Sequence, residues 1–177
     1  MGERSWPAWA TQKVSISDWD PAWEQRAGEL VPDLSQRLAQ WLAESVEHVG
    51  STAVQGLAAK PVVDLMAPVR SLVDAPGADA ILAEAGWQLV PPKLDQRPWR
   101  RMYVLPEDDR RLAHLHLVEL NHPRWRETLF FRDRLRQDPE LAREYARVKR
   151  LAARAHTKDR EAYTEAKSAF VQDVVGR

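Results

Sequence analysis

At 177 residues the chain has room for one domain, or one domain with a helical extension, but not for two independent cores of useful size. Lysine plus arginine balance aspartate plus glutamate at 26 each, so no long-range field steers the protein toward nucleic acid, and the lack of cysteine removes disulfide frameworks and thiolate catalysis. The stretch MGERSWPAWATQKVSISDWD has no apolar core of signal-peptide length, and no apolar run approaches the roughly 20 residues of a membrane span, so a cytoplasmic protein with no membrane partner is expected.

Asp20-Pro21 reads as a helix start, with Asp20 as the cap and Pro21 in the first position, where its missing N–H is harmless. Ala27, Leu30, Val31, Leu34, Leu38, Trp41 and Leu42 then recur at helical spacing, with Pro32 predicting a kink or two shorter helices. Ser45 to Val49 reads as a short strand ended by Gly50. The best strand lies within Ala59 to Val69, where Val63 and Leu65 point to one face and Val62, Asp64 and Met66 to the other. A helix over Ala78 to Ala85 stops at Gly86, and Trp87 to Val90 forms a strand closed by Pro91-Pro92. Two more strands, Arg100 to Leu105 and Arg111 to Glu119, are joined by the turn Pro106-Glu107-Asp108-Asp109. Arg97, Arg100, Arg101, Arg110 and Arg111 form a local basic cluster. Of the eight tryptophans, Trp23 and Trp41 sit on helical patterns, and Trp6, Trp9 and Trp19 are expected to fold over the domain edge.

After Asn121-His122-Pro123 the chain changes character. Residues 124 to 174 are helix formers without glycine, broken at Asp138-Pro139 and near His156-Thr157. The order predicts an α+β fold, one mixed or antiparallel sheet flanked by helices, with a core over residues 1–121 and a C-terminal helical segment over 122–177 packed on it. Tyr145 with Lys149, and Tyr163 with Lys167, each place an aromatic ring and a cation on one helical face.

Chemistry concentrates in VEHVGSTAVQGLAAKPVVDLM. A strand ending in Gly50-Ser51-Thr52 offers a sharp turn, free N–H groups and two small hydroxyls, which suit a phosphate oxygen, and Lys60 adds a positive charge. The spacing is not that of a Walker A loop. Asp64, inside an apolar strand, needs a partner: a divalent metal, Lys60, an arginine or backbone N–H groups.

The run His48 to Val54, followed by Gly56-Leu57-Ala58-Ala59-Lys60-Pro61 and Val63-Asp64, closely resembles the signature of the GrpB-like family (UPF0157 type). The resemblance continues through His114-Leu115-His116, Phe131-Arg132-Asp133, Leu135-Arg136, and the two Tyr-x3-Lys pairs, and so covers most of the chain. It implies a nucleotidyltransferase fold with a metal-dependent site: Gly50, Ser51 and Thr52 at the phosphates of a nucleoside triphosphate, and Asp64 on Mg2+. In that superfamily a second acid follows two positions after the first; here that position is Met66, a poor ligand for hard Mg2+. Glu47 flanks the turn and is a candidate replacement; for the third acid, which in that superfamily comes from a neighbouring strand, the candidates are Glu119 and the histidines of the His114-Leu115-His116 strand.

The same resemblance bears on the histidines and the helical tail. One reading stands His116, with or without His114, beside Asp64 as metal ligand or general base; the other leaves both decorating a solvent-facing strand. Arg132, Arg136, Lys149, Tyr163 and Lys167 are expected to face the cleft. Three functions follow: nucleotidyl transfer from a nucleoside triphosphate to a small-molecule or protein acceptor, a non-catalytic nucleotide- or phosphate-binding module, or other metal-dependent chemistry, hydrolysis or ligation, in the same cleft.

Overall fold

Asp20 caps the first helix by accepting a hydrogen bond from the Ala22 N–H at 2.9 Å, and Pro21 occupies its first position. The structure, a computed structural model, describes residues 8–11, 15–156 and 159–176; Trp6 and Thr157 lie outside them. Helix α1 (Pro21–Arg37) runs unbroken through Pro32, against the expected break. The carbonyl that Pro32 deprives of a donor belongs to Gly28, and both residues are exposed, so that the loss falls on the solvent side of the helix. The opposite face, with Trp23, Ala27 and Leu34 buried, holds the helix to the core. Trp41 and Leu42 fall in the turn beyond the helix and still pack against that core.

Strands β1 (Glu47–Val49), β2 (Val63–Val69), β3 (Gln88–Leu89), β4 (Arg100–Glu107) and β5 (Arg110–Glu119) form one sheet in the order β1-β2-β5-β4-β3. β2 and β5 are parallel, in register Asp64 to His114 and Met66 to His116; every other pairing is antiparallel. The β4–β5 hairpin is tighter than expected. Glu107 pairs with Arg110, leaving Asp108-Asp109 as a two-residue loop with Asp108 at φ 52°.

One sheet face is apolar. Val63, Leu65, Ala67, Tyr103, Leu115 and Leu117 pack there with α1 and helix α2 (Ala78–Glu84), each large aliphatic worth roughly 1.5–3 kcal/mol of burial. Because strand side chains alternate, Asp64, Met66, His114 and His116 take the other face. A short helix α3 (Pro92–Asp95) edges that face. Three helices complete the chain: α4 (Pro123–Gln137), α5 (Pro139–Ala155) and α6 (Arg160–Val175). Asp138 ends α4 and caps α5 by accepting from the Leu141 N–H, so the Asp-Pro pair makes the break legible in the sequence. Leu135, Tyr145 and Ala146 of this bundle bury Val54 and Leu57, which carries the helices directly onto the segment after the Gly50 turn. No helix among the described residues is long and apolar enough to cross a membrane.

Candidate functional site

The parallel pairing of β2 with β5 brings Asp64, His114 and His116 together at the floor of a cavity of about 1010 Å3. Asp64 Oδ1 lies 2.9 Å from His114 Nδ1 and 3.7 Å from His116 Nε2. Burial acts to raise the Asp64 carboxyl, but the hydrogen bonds from the two imidazoles outweigh it and hold the group well below the usual carboxylate range. Asp64 therefore stays ionised.

His116 is fixed by a residue the sequence did not single out for this site. Arg100 Nη1 lies 3.0 Å from His116 Nδ1, and a guanidinium can only donate, so Nδ1 is the acceptor and the proton sits on Nε2, facing Asp64. Asp95 in turn holds Arg100 through a hydrogen bond from Nε at 2.9 Å and a second contact from Nη2. Burial pushes His116 down to about 4, Asp64 opposing and Arg100 adding to the fall, so the ring is neutral. In this tautomer His116 has no lone pair toward the cleft. Its Nε2–H faces the Asp64 carboxylate, 3.7 Å away.

Three donor atoms, one each from Asp64, His114 and His116, lie within 4.8 Å of one another, close enough to share one cation. An ionised Asp64 can only accept, so His114 Nδ1 also turns an N–H toward it, and in this arrangement the ligand offered to a divalent ion is the Asp64 carboxylate. Among the described residues this cluster holds no second carboxylate for a second ion. Met66 is 4% exposed and packs with Val49, Val118 and Trp125, so the position of the superfamily's second acid has become core. Glu47 is taken by Arg132 at 2.8 Å, and Glu119 lies on the opposite sheet face, accepting the Leu72 N–H at 3.1 Å. The described residues thus offer one carboxylate at this cluster, which suits one divalent ion and not a two-ion centre.

Gly50 makes the turn possible. It sits at φ 70°, ψ −169°, a region essentially reserved for glycine, and a Cβ there would lie 2.8 Å from Asp64 Oδ2. The backbone then makes a 3-10 turn over Ser51–Ala53, whose first N–H groups have no partner inside it. Thr52 is buried, its hydroxyl 2.9 Å from His48 Nε2. Burial pushes His48 down to about 4, so that ring is also neutral.

Above this floor stand three lysines and a tyrosine. The Tyr163 ring has Lys60 Nζ 4.0 Å and Lys167 Nζ 4.3 Å from its centre. Lys149 lies 4.8 Å from the Tyr145 ring and donates to the Ala58 carbonyl. Burial, then the charges of Lys167 and Arg150, push Lys149 down to about 7; burial pushes Lys167 down to about 8 although Asp64 opposes it. The i,i+4 spacing predicted the Lys149 and Lys167 pairs; that Lys60 shares the Tyr163 ring had no local signal.

Gly50, Ser51, Thr52, Lys60, Asp64, His114, His116, Lys149, Tyr163 and Lys167 all line this cavity. Arg132 does not. It is 9% exposed and joins α4 to β1, bonding Glu47 at 2.8 Å, the His48 carbonyl at 3.0 Å and Asp133 at 2.8 Å. Its role is to hold the bundle on the sheet, because an arginine buried between two elements must satisfy its donors there. Replacing Arg132 by alanine strands these acceptors and is expected to lower stability by about 2–3 kcal/mol, read from urea unfolding midpoints at constant slope. A change under ~0.5 kcal/mol, the level of an ordinary surface substitution, would show the bridge to be incidental. Arg136 likewise turns away, donating to the Ala53 carbonyl at 2.9 Å. The basic cluster of the sequence also separates: Arg97 pairs with Glu161 and Arg100 with Asp95 at the cleft, Arg101 pairs with Asp79 at β4, and Arg111 lies over Trp9.

Comparison with known proteins bears on the family and the fold. The family described as GrpB protein matches residues 13–177. A UPF0157 protein of Pseudomonas aeruginosa is 35% identical over 191 residues, covering 99% of this chain and 72% of its own. The crystal structure of GrpB from Enterococcus faecalis superposes with a TM-score of 0.79 at 26% identity, over 92% of this chain and 95% of that one. A poly(U) polymerase bound to MgATP superposes with a TM-score of 0.51 at 14% identity, over 76% of this chain and 45% of the polymerase. That last likeness concerns the fold alone, and it puts the architecture among nucleotidyltransferase-like folds.

Proposed function

Since the chain belongs to the GrpB family, we propose that its cleft binds a nucleoside triphosphate with one divalent ion, Mg2+, at Asp64 and transfers the nucleotidyl group to a hydroxyl or amine acceptor. The observation that carries this reading is the seating of the Gly50 turn against an ionised Asp64 beneath three lysines. Phosphate oxygens meet the N–H groups that open the turn, and Lys60, Lys149 and Lys167 balance their charge. Tyr163 keeps the two lysines around its ring in place. His114 and His116 aim the carboxylate, and Arg100 fixes the tautomer through which His116 does so. Such an ion supplies Lewis-acid stabilisation of charge on the transferring phosphoryl group. In the transfer, the acceptor atom bonds the α-phosphorus as the bond to the β-phosphate oxygen breaks, pyrophosphate leaves, and the acceptor proton passes to solvent.

The test is Mg2+-dependent pyrophosphate release from the four nucleoside triphosphates, assayed with pooled small-molecule and protein acceptors. Release that needs both Mg2+ and an acceptor supports the reading; none with any pool overturns it. The burial of Met66 in the core favours a second reading, a nucleotide-binding module that performs no transfer. It predicts tight nucleotide binding with the same affinity with and without Mg2+.

Both readings share a pH dependence. A triphosphate is bound best while Lys149 and Lys167 are charged, and these lysines lose their protons near 7 and 8 in the free protein. Affinity is therefore expected to fall by about tenfold or more between pH 7 and 9, with proton uptake on binding over that range. Calorimetry in buffers of different ionisation enthalpy reads the uptake directly. Affinity that is flat over this range would remove the lysines from the phosphate site.

A further inference from the structure

A second groove of about 990 Å3 lies behind the turn, and Thr52 lines both it and the cleft. Its lining carries five arginines against two acidic residues, Asp18 and Glu24, in a protein whose overall charge is zero. Four of the five come from α5, at positions 143, 147, 150 and 154, and Arg136 comes from α4. At 1.5 Å rise per residue they succeed one another every ~5–6 Å along one helical face, a row about 17 Å long.

Structural pairing accounts for only part of the row. Arg143 pairs with Glu140, Arg150 with Asp18, and Arg136 with Asp133. Arg147 and Arg154 are exposed, and neither has an ion pair among the described residues. Like charges at this spacing on one helix repel, so the row is costly unless an anion covers it. Guanidinium forks match phosphate oxygens two at a time, and the evenly repeated charge is the complement of a phosphodiester chain. Trp19, half-buried at the groove, adds an aromatic surface, and cations beside an aromatic platform are the means by which single strands are bound without sequence preference.

We propose that this groove binds the backbone of single-stranded RNA, with phosphates on the α5 arginine row and a base against Trp19. Net neutrality does not oppose this, because binding responds to the local potential and not to the sum over the surface. The proposal stands independently of whether the neighbouring cleft transfers nucleotides.

The test is fluorescence anisotropy with a labelled oligouridylate about 12 nucleotides long, at about 50 mM salt, using the full chain. Arg147→Glu with Arg154→Glu is compared with Arg126→Glu with Arg134→Glu, an equal change in charge at exposed positions of α4 outside the groove. The groove pair is expected to weaken binding at least tenfold and to flatten the dependence of log Kd on log salt by about 1.4, two single-strand phosphate contacts' worth. The α4 pair is expected to change Kd less than about threefold. Equal losses in the two charge-reversed variants, or no binding of the wild-type chain, would overturn the proposal. So would displacement of the strand by poly-glutamate of the same charge at equal concentration, which would point to an acidic protein partner.

Discussion

Asp64→Asn is expected to reduce Mg2+-dependent pyrophosphate release by about 10³-fold, on the order of 4 kcal/mol of transition-state stabilisation. The substitution keeps the shape of the side chain and an oxygen that can still accept from His114 Nδ1, 2.9 Å away in the native protein. The fold is therefore expected to survive. What disappears is the charged carboxylate between His114 and His116, and with it the oxygen ligand that a hard cation prefers. Nucleotide binding without Mg2+ is expected to stay level or tighten, because a negative charge near the phosphates has gone. That split separates a metal-binding role from general damage. A variant with undiminished Mg2+-dependent turnover would remove Asp64 from the chemistry.

Gly50→Ala is expected to abolish nucleotide binding, by about 100-fold or more, and to destabilise the protein by about 2 kcal/mol, or roughly 4–8 °C in Tm at this chain length. Two costs add. The backbone sits at φ 70°, ψ −169°, where an L side chain is strained. The new Cβ would also meet Asp64 Oδ2 at 2.8 Å and Asp64 Cβ at 3.2 Å, and the carboxylate cannot swing aside without breaking its contact with His114. Gly56→Ala is the matched control. Its φ is 77°, yet a Cβ there meets nothing within 4 Å, so it bears the backbone cost without the collision. It is expected to lose stability and keep nucleotide binding. Equal binding in the two variants would show that the approach of turn to carboxylate is not what the site depends on.

Much of the fold could be read without coordinates because its signals are local. Asp20-Pro21 and Asp138-Pro139 are caps whose hydrogen bonds close within three residues, and Gly86, at φ 85°, ends its helix as a C-terminal glycine should. The alternation in β2 sent Val63 and Leu65 to the core and Asp64 to the other face, since a strand has only two faces to offer. Where local logic failed, solvent or packing had intervened. Pro32 stays within α1 because the carbonyl it leaves unpaired lies on the solvent side and the apolar side of that helix holds it in place.

The Gly50 turn and Asp64 were recognisable as residue types in a pattern, but their relation was not. Whether His114 and His116 stood beside Asp64 or faced solvent depended on a parallel pairing of strands some 50 residues apart, which no periodicity encodes. Arg100 reached His116 across the β4–β5 register, and Asp95 reached Arg100 from α3, so the tautomer of His116 was a property of the assembled sheet. Arg132 and Lys149 looked alike as cations on the helical tail; only the packing of α4 against β1, and of α5 over the segment after the turn, sent one into a structural bridge and the other into the cleft. The sequence by itself determined which segments form helices and strands and which residues carry charge, because backbone preference and periodicity are short-ranged. Tertiary structure alone decided which charges meet, because Coulomb and hydrogen-bond energies depend on distances that only the packed chain defines.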